Sequence, residues 1–191
     1  MLHAALRGVL GAHVRQAGSL VTPDRLRFDF THFRPLTTEQ ISEIQYLVNG
    51  RIRADLLCEK SEIAYKEALE KGALAFFGDR YPENVRTLQI GSGDEEFSYE
   101  VCGGTHVNRT GQIGLFHITS ESGLGTGIRR LEAVTGSGAD RWLDGQLNLL
   151  SKVTEKLSSS PNEIVGKLEN LLLEVDQSRR QIMNQQKELS R

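Results

Sequence analysis

Leu2, Leu6, Val9, Leu10 and Val14 recur at helical steps and predict an amphipathic helix over residues 2–16, with Gly18 beyond its end. Residues 19–21 read as the start of an extended segment, and Thr22-Pro23-Asp24 carries turn chemistry. Leu26-Arg27-Phe28-Asp29-Phe30 then alternates apolar and polar, the period of a half-buried strand with Leu26, Phe28 and Phe30 facing inward. Thr37 or Thr38 is placed to cap a helix over 39–54 that carries Ile41, Ile44, Leu47, Val48 and Ile52. A second helix is expected over 61–70, stopped by Gly72. Extended segments at 85–90, 97–101, 113–119 and 129–134 follow, punctuated by glycines. Helices followed by short strands predict an α+β domain, an antiparallel sheet with helices packed on one side.

From about Gly138 the pattern changes. Glycine becomes rare, a helix is expected over 139–157, and Ser158-Ser159-Ser160-Pro161 reads as a linker whose proline suits the first turn of a new helix. Beyond it Ile164, Leu168, Leu171, Val175, Ser178, Ile182, Gln185 and Leu189 alternate steps of four and three, a heptad seam with two polar positions. A coiled coil, pairing with the helix ending near Leu157, and a single amphipathic helix packed on the domain all fit this seam. The division expected is 1–137 for the α+β domain and 138–191 for a helical segment.

The 191 residues are 38% apolar and 25% charged, enough for one ordinary core plus an appendage. No run approaches the ~18 apolar residues of a membrane span, and the opening residues, with His3 and Arg7, do not read as a signal peptide. A cytoplasmic protein without a membrane partner is expected, and Cys58 and Cys102 are not expected to form a disulfide. The formal net charge of −2 supplies no basic field, so any nucleic-acid contact must come from local pairs such as Arg25/Arg27, Arg51/Arg53 and Arg129/Arg130.

The densest chemistry is Cys102-Gly103-Gly104-Thr105-His106. A thiolate and an imidazole this close can share one soft cation, and zinc accepts that mixture. The two glycines allow a tight turn and leave backbone N–H groups open to a ligand. Two donors do not make a zinc site, and the other histidines, His3, His13, His32 and His117, offer no pair at helical i, i+4 spacing. A small cysteine near an unrelated histidine fits the motif equally well.

The surrounding blocks carry a resemblance. The stretch from His3 to Ser19, Arg27-Phe28-Asp29-Phe30-Thr31-His32, Gly72-Ala-Leu-Ala-Phe-Phe-Gly78, Cys102 to His106, and Gly127-Ile-Arg-Arg-Leu-Glu-Ala-Val-Thr-Gly136 resemble, in order, the editing domain of the alanyl-tRNA synthetases. The related domain of threonyl-tRNA synthetases and free-standing editing proteins share the first part of this pattern. The helices after Gly136 resemble those that connect editing and C-terminal domains in the full synthetase.

The resemblance implies hydrolysis of the ester in Ser-tRNA(Ala) and Gly-tRNA(Ala). It implies tRNA(Ala) and the remainder of the synthetase as partners, and allows a homo-oligomer through the C-terminal helices. It assigns Cys102 and His106 to a Zn2+ site, Gln16 and Thr105 to the reacting pocket, and Gly103, Gly104 and Arg129 to substrate or tRNA binding. In that family an H-x-x-x-H pair just before the stretch matching His3 supplies two more zinc ligands, and ATP belongs to an aminoacylation domain. Neither is present here, so Met1 is read as an internal methionine or a fragment boundary. The alternatives are a free-standing aminoacyl-tRNA deacylase and a non-catalytic piece that contacts tRNA or pairs helices.

Overall fold

The computed structural model describes residues 1–76, 81–93 and 96–189; Phe77 and Gly78 of one resembling block lie outside them. The chain forms two compact units, Met1–Asp140 and Arg141–Arg191. In order, the elements are α1 (Leu2–Leu10), β1 (Gln16–Val21), β2 (Leu26–Thr31), α2 (Thr38–Arg53), β3 (Cys58–Ala64), α3 (Tyr65–Glu70), β4 (Asn84–Ile90), β5 (Ser98–Val101), a 3-10 turn (Thr110–Ile113), β6 (Phe116–Gly125), β7 (Ile128–Thr135), α4 (Gly136–Leu157) and α5 (Ile164–Leu189). The strands form two antiparallel sheets, ordered β1-β2-β7-β6 and β3-β4-β5. The class is α+β, with two sheets where one was expected.

The main core lies between the four-stranded sheet and the helices α1 and α2. The alternation in β2 turns Phe28 and Phe30 into it, against Leu6 from α1 and Ile44 and Val48 from α2. Burying a side chain of this size contributes roughly 1.5–3 kcal/mol. Thr37 closes a capping box at the start of α2: its hydroxyl accepts from the Gln40 N–H, and its own N–H donates to Gln40 Oε1.

Two expected helices are shorter than their patterns. The first stops at Leu10, where Gly11 takes a φ of 112°. Arg7 donates to the carbonyls of Ala12 (2.8 Å) and Val14 (3.0 Å), pinning the turn that follows. Val14 is fully buried from that turn rather than from a helix, and Gln16 begins β1. The helix expected over 61–70 is a strand as far as Ala64. Its residues pair in unbroken register with β4, from Cys58 opposite Ile90 to Ala64 opposite Asn84. That ladder overrides the helix propensity of Glu59, Lys60 and Glu62.

The heptad segment is helical, but α5 begins at Ile164 because Ser160 donates from N–H and Oγ to the Glu163 carboxylate and holds a turn at its entry. None of its described residues is fully buried; Ile164 and Leu171 are half-buried, and Leu168, Val175, Ile182 and Leu189 are exposed.

On the outer face of β2, Asp29 is only 5% exposed and accepts from Arg130 Nε (2.6 Å) and Nη2 (2.8 Å). The Arg130 hydrogen bond holds its carboxyl below the ordinary value, against burial, which pushes it up. A depressed folded pKa contributes stability above the unfolded value of about 3.9, and that stability is lost as pH falls through the folded one. Asp29→Asn is therefore expected to lower stability at pH 7 and to flatten its acid limb below about pH 4. Parallel curves for the two proteins in urea titrations across pH 2–7 would remove Asp29 from that account.

Candidate functional site

Alternation along β5 places Ser98, Glu100 and Cys102 on one face, and all three border a small cavity of about 150 Å3 together with Cys58 and His106. The Cys102 N–H makes the last ladder bond, to the Arg86 carbonyl of β4 at 3.0 Å. The chain then turns through Gly103, Gly104 and Thr105, bringing His106 Nε2 to 3.2 Å from Cys102 Sγ. A Cβ on Gly104 would lie in contact with both, 3.5 Å from the nitrogen and 3.7 Å from the sulfur.

A larger cavity of about 500 Å3 adjoins this loop. It gathers Gln16, Cys102, Gly104, Thr105 and His106, with Met1, Leu2 and His3 from the start of α1. Gln16 reaches it from the edge strand: it pairs with Phe30 just before a register shift in β1, and shares the inward face of the sheet. Its Nε2 donates to Ser19 Oγ at 2.9 Å, and among the described residues its amide oxygen has no hydrogen-bond donor.

The electrostatics suit a thiol–imidazole pair. Burial pushes the Glu100 carboxyl up, but the His3 imidazole, the Met1 ammonium and the Ser98 hydroxyl outweigh it and hold the pKa at about 2. Burial, with the positive charges of Met1, Lys60 and Arg86, lowers His106 below the usual imidazole value, keeping it neutral as a metal ligand must be. Burial raises the Cys58 thiol, and both cysteines are free.

Two of the residues picked out in the sequence lie elsewhere. Gly103 turns its carbonyl to Arg86 and borders an outer groove. Arg129 does not border the cavity; its guanidinium is held by the Glu121 carboxylate through Nε (2.5 Å) and Nη2 (2.6 Å), with both side chains largely buried. The sequence reading missed Ser98 and Glu100, whose signal is their two-residue step toward Cys102. The buried His3 also lies here, its Nδ1 3.6 Å from Glu100 Oε1. As a metal site the donor set falls short. Cys102 and His106 converge, but among the described residues no group of three or more His, Cys, Asp or Glu is placed to hold an ion.

Comparison with known proteins sets these residues in context. Residues 85–132, which include the Cys102–His106 loop, match the family described as the threonyl and alanyl tRNA synthetase second additional domain. Alanine--tRNA ligase of Stenotrophomonas maltophilia (strain K279a) is 51% identical over 171 residues, 90% of the chain and 19% of that protein. The enzyme of the same name from Roseiflexus castenholzii (strain DSM 13941 / HLO8) is 46% identical over 198 residues, covering 94% and 22%. The chain is a homologue of the alanine--tRNA ligases. It spans about a fifth of the length of these relatives. The match is too long to be confined to the first unit, so it continues into the C-terminal helices. No helix among the described residues is long and apolar enough to cross a membrane.

Proposed function

We propose that this chain is part of the editing segment of an alanine--tRNA ligase, which within that enzyme hydrolyses the aminoacyl ester of Ser-tRNA(Ala) and Gly-tRNA(Ala). Its partners on this reading are tRNA(Ala) and the rest of the cytoplasmic synthetase. The observation that carries it is the 500 Å3 cavity in which Gln16, Gly104 and Thr105 meet the Cys102–His106 pair. A pocket built for alanine separates glycine or serine by only ~1–3 kcal/mol, so a second, hydrolytic site has to sort the products.

Gln16 suits the recognition step. Its nitrogen is engaged by Ser19, so its oxygen is free to accept from the hydroxyl of a bound serine. Thr105 offers a hydroxyl at the same cavity. Cys102 and His106 would be half of a Zn2+ site, the other two donors coming from the H-x-x-x-H pair that precedes the matching stretch in the family. Two donors alone do not hold a metal.

Gln16→Ala, in the synthetase carrying this segment, is expected to reduce selectivity for the seryl over the alanyl ester about tenfold, one hydrogen bond's worth at about 1.4 kcal/mol. The melting temperature should not change. Deacylation of Ser-tRNA(Ala) and Ala-tRNA(Ala) measures it. Equal loss on both esters with a lower melting temperature would make Gln16 structural, and no Ser-tRNA(Ala) hydrolysis in the wild type would end the editing reading.

A further inference from the structure

We propose that Arg86 is a positioning residue, one that turns the Gly104 N–H into the cavity as a hydrogen-bond donor to the ester carbonyl oxygen of the substrate. The donor role rests on the deacylase reading above; the hold of Arg86 on the loop does not.

Few hydrogen bonds fix the loop. After the Cys102 N–H bond to Arg86, the next backbone hydrogen bond is the one Asn108 accepts from Cys58. Among the described residues, the backbone between them makes a single hydrogen bond. The Arg86 guanidinium donates to the Gly103 carbonyl through Nη2. Two adjacent glycines would otherwise let the intervening peptide rotate at little cost, because neither carries a Cβ to resist it.

The peptide joining Gly103 to Gly104 is trans, like every peptide bond described in the structure. In a trans peptide the carbonyl and the next N–H point in opposite directions. Fixing the Gly103 oxygen on Arg86 therefore directs the Gly104 N–H away from Arg86. The two glycines face different spaces accordingly: Gly103 borders the outer groove with Arg86, and Gly104 borders the 500 Å3 cavity with Gln16 and Thr105. The Gly104 N–H has no partner among the described residues.

An unpaired N–H at such a cavity suits ester hydrolysis. Water adds to the carbonyl carbon, the C=O electron pair moves onto oxygen, and the N–H donates to that oxygen as its charge develops. The bond from carbon to the ribose oxygen then breaks, and the ribose oxygen leaves with a proton from the added water. The products are the free amino acid and tRNA, with nothing oxidised or reduced. A preorganised donor of this kind accounts for about 10²–10³ in rate when it is removed from other acyl-transfer sites.

The test compares wild type, Arg86→Ala and Arg86→Lys by NMR with 15N-glycine labelling. In Arg86→Ala the Gly104 amide is expected to loosen, its order parameter falling below about 0.6 while strand amides stay near 0.85. Arg86→Lys, which keeps one donor without the planar fork, should fall between. A serylamino-adenosine with an amide in place of the ester is the binding probe. It should shift the Gly104 amide in wild type and not in Arg86→Ala.

In the synthetase carrying this segment, Arg86→Ala should lower kcat for Ser-tRNA(Ala) hydrolysis about 100-fold with KM within about threefold, and Arg86→Lys should recover part of it. A Gly104 amide as rigid in Arg86→Ala as in wild type overturns the proposal, and so does an unchanged kcat. Loosening in the variant with no probe binding and no hydrolysis by wild type upholds Arg86 as the loop's anchor. It overturns the donor role together with the deacylase reading. If Arg86→Ala does not fold, the intermediate values expected of Arg86→Lys decide the matter.

Discussion

Asn49→Leu is expected to lower the stability of the first unit by about 2–6 kcal/mol, more than its unremarkable position on a helix would suggest. Asn49 lies on α2, is 8% exposed, and completes the free edge of the four-stranded sheet. Its Nδ2 donates to the Phe116 carbonyl at 2.8 Å and its Oδ1 accepts from the Phe116 N–H at 3.0 Å. One turn earlier, Gln45 Oε1 accepts from the Ile118 N–H at 2.9 Å. Two side-chain amides thus stand where a further strand would at Phe116 and Ile118, the first residues of the edge strand β6. Leucine has nearly the same volume but no polar atoms. It would strand a buried N–H and a buried carbonyl, each costing about 1–3 kcal/mol. Gln45→Ala, losing one partly buried bond, should cost about 1 kcal/mol. Urea unfolding with an unchanged m-value measures both. A loss below about 1 kcal/mol for Asn49→Leu would show that water replaces the amide at Phe116.

Asn49 also marks where a reading of the sequence stops. Periodicity identified α2 and its buried Ile44, Val48 and Ile52, because apolar spacing is a local property. A polar residue on the same helix is silent until the strand it serves, 67 positions away, is placed beside it. The same limit explains residues 61–64. Their composition favours a helix, and only the ladder with Asn84–Ile90 makes them a strand. Val14 fitted a helical pattern and is buried, but from a turn that Arg7 pins.

The site divides in the same way. Cys102 and His106 were legible because their spacing is short and lies within one loop. The cavity was not, because it needs Gln16 from an edge strand, Met1 to His3 from a helix, and a second sheet. Gln16 was expected at a helix end, and a strand is what turns it inward. Arg129, assigned to substrate or tRNA binding through the resemblance, shows what the sequence leaves out: its guanidinium is held by Glu121, eight positions away on the neighbouring strand.

Residues 1–191 alone are expected to bind Zn2+ weakly and below one equivalent, with little or no deacylation of Ser-tRNA(Ala). The same segment extended at its N-terminus to include the family's H-x-x-x-H pair should bind about one equivalent. Structural zinc sites reach apparent free energies of about 10–16 kcal/mol by engaging four donors at once. Here Cys102 Sγ and His106 Nε2, 3.2 Å apart, are two, and no described group of three is placed to hold an ion. Met1, the residue before α1, borders both cavities beside these donors, and Leu2, the first of the helix, borders the larger. Histidines four positions apart on a preceding turn would share one face of that helix, and the face that carries Met1 is the one turned to the loop. Metal analysis of the short and extended proteins, each with and without Cys102→Ala, measures this. The extended protein should lose its zinc on that substitution, and the short one should scarcely change. One full equivalent on residues 1–191 would sink the idea and direct attention to substitute donors: Glu100, which borders both cavities, His3, which borders the larger, or Cys58, which borders the smaller.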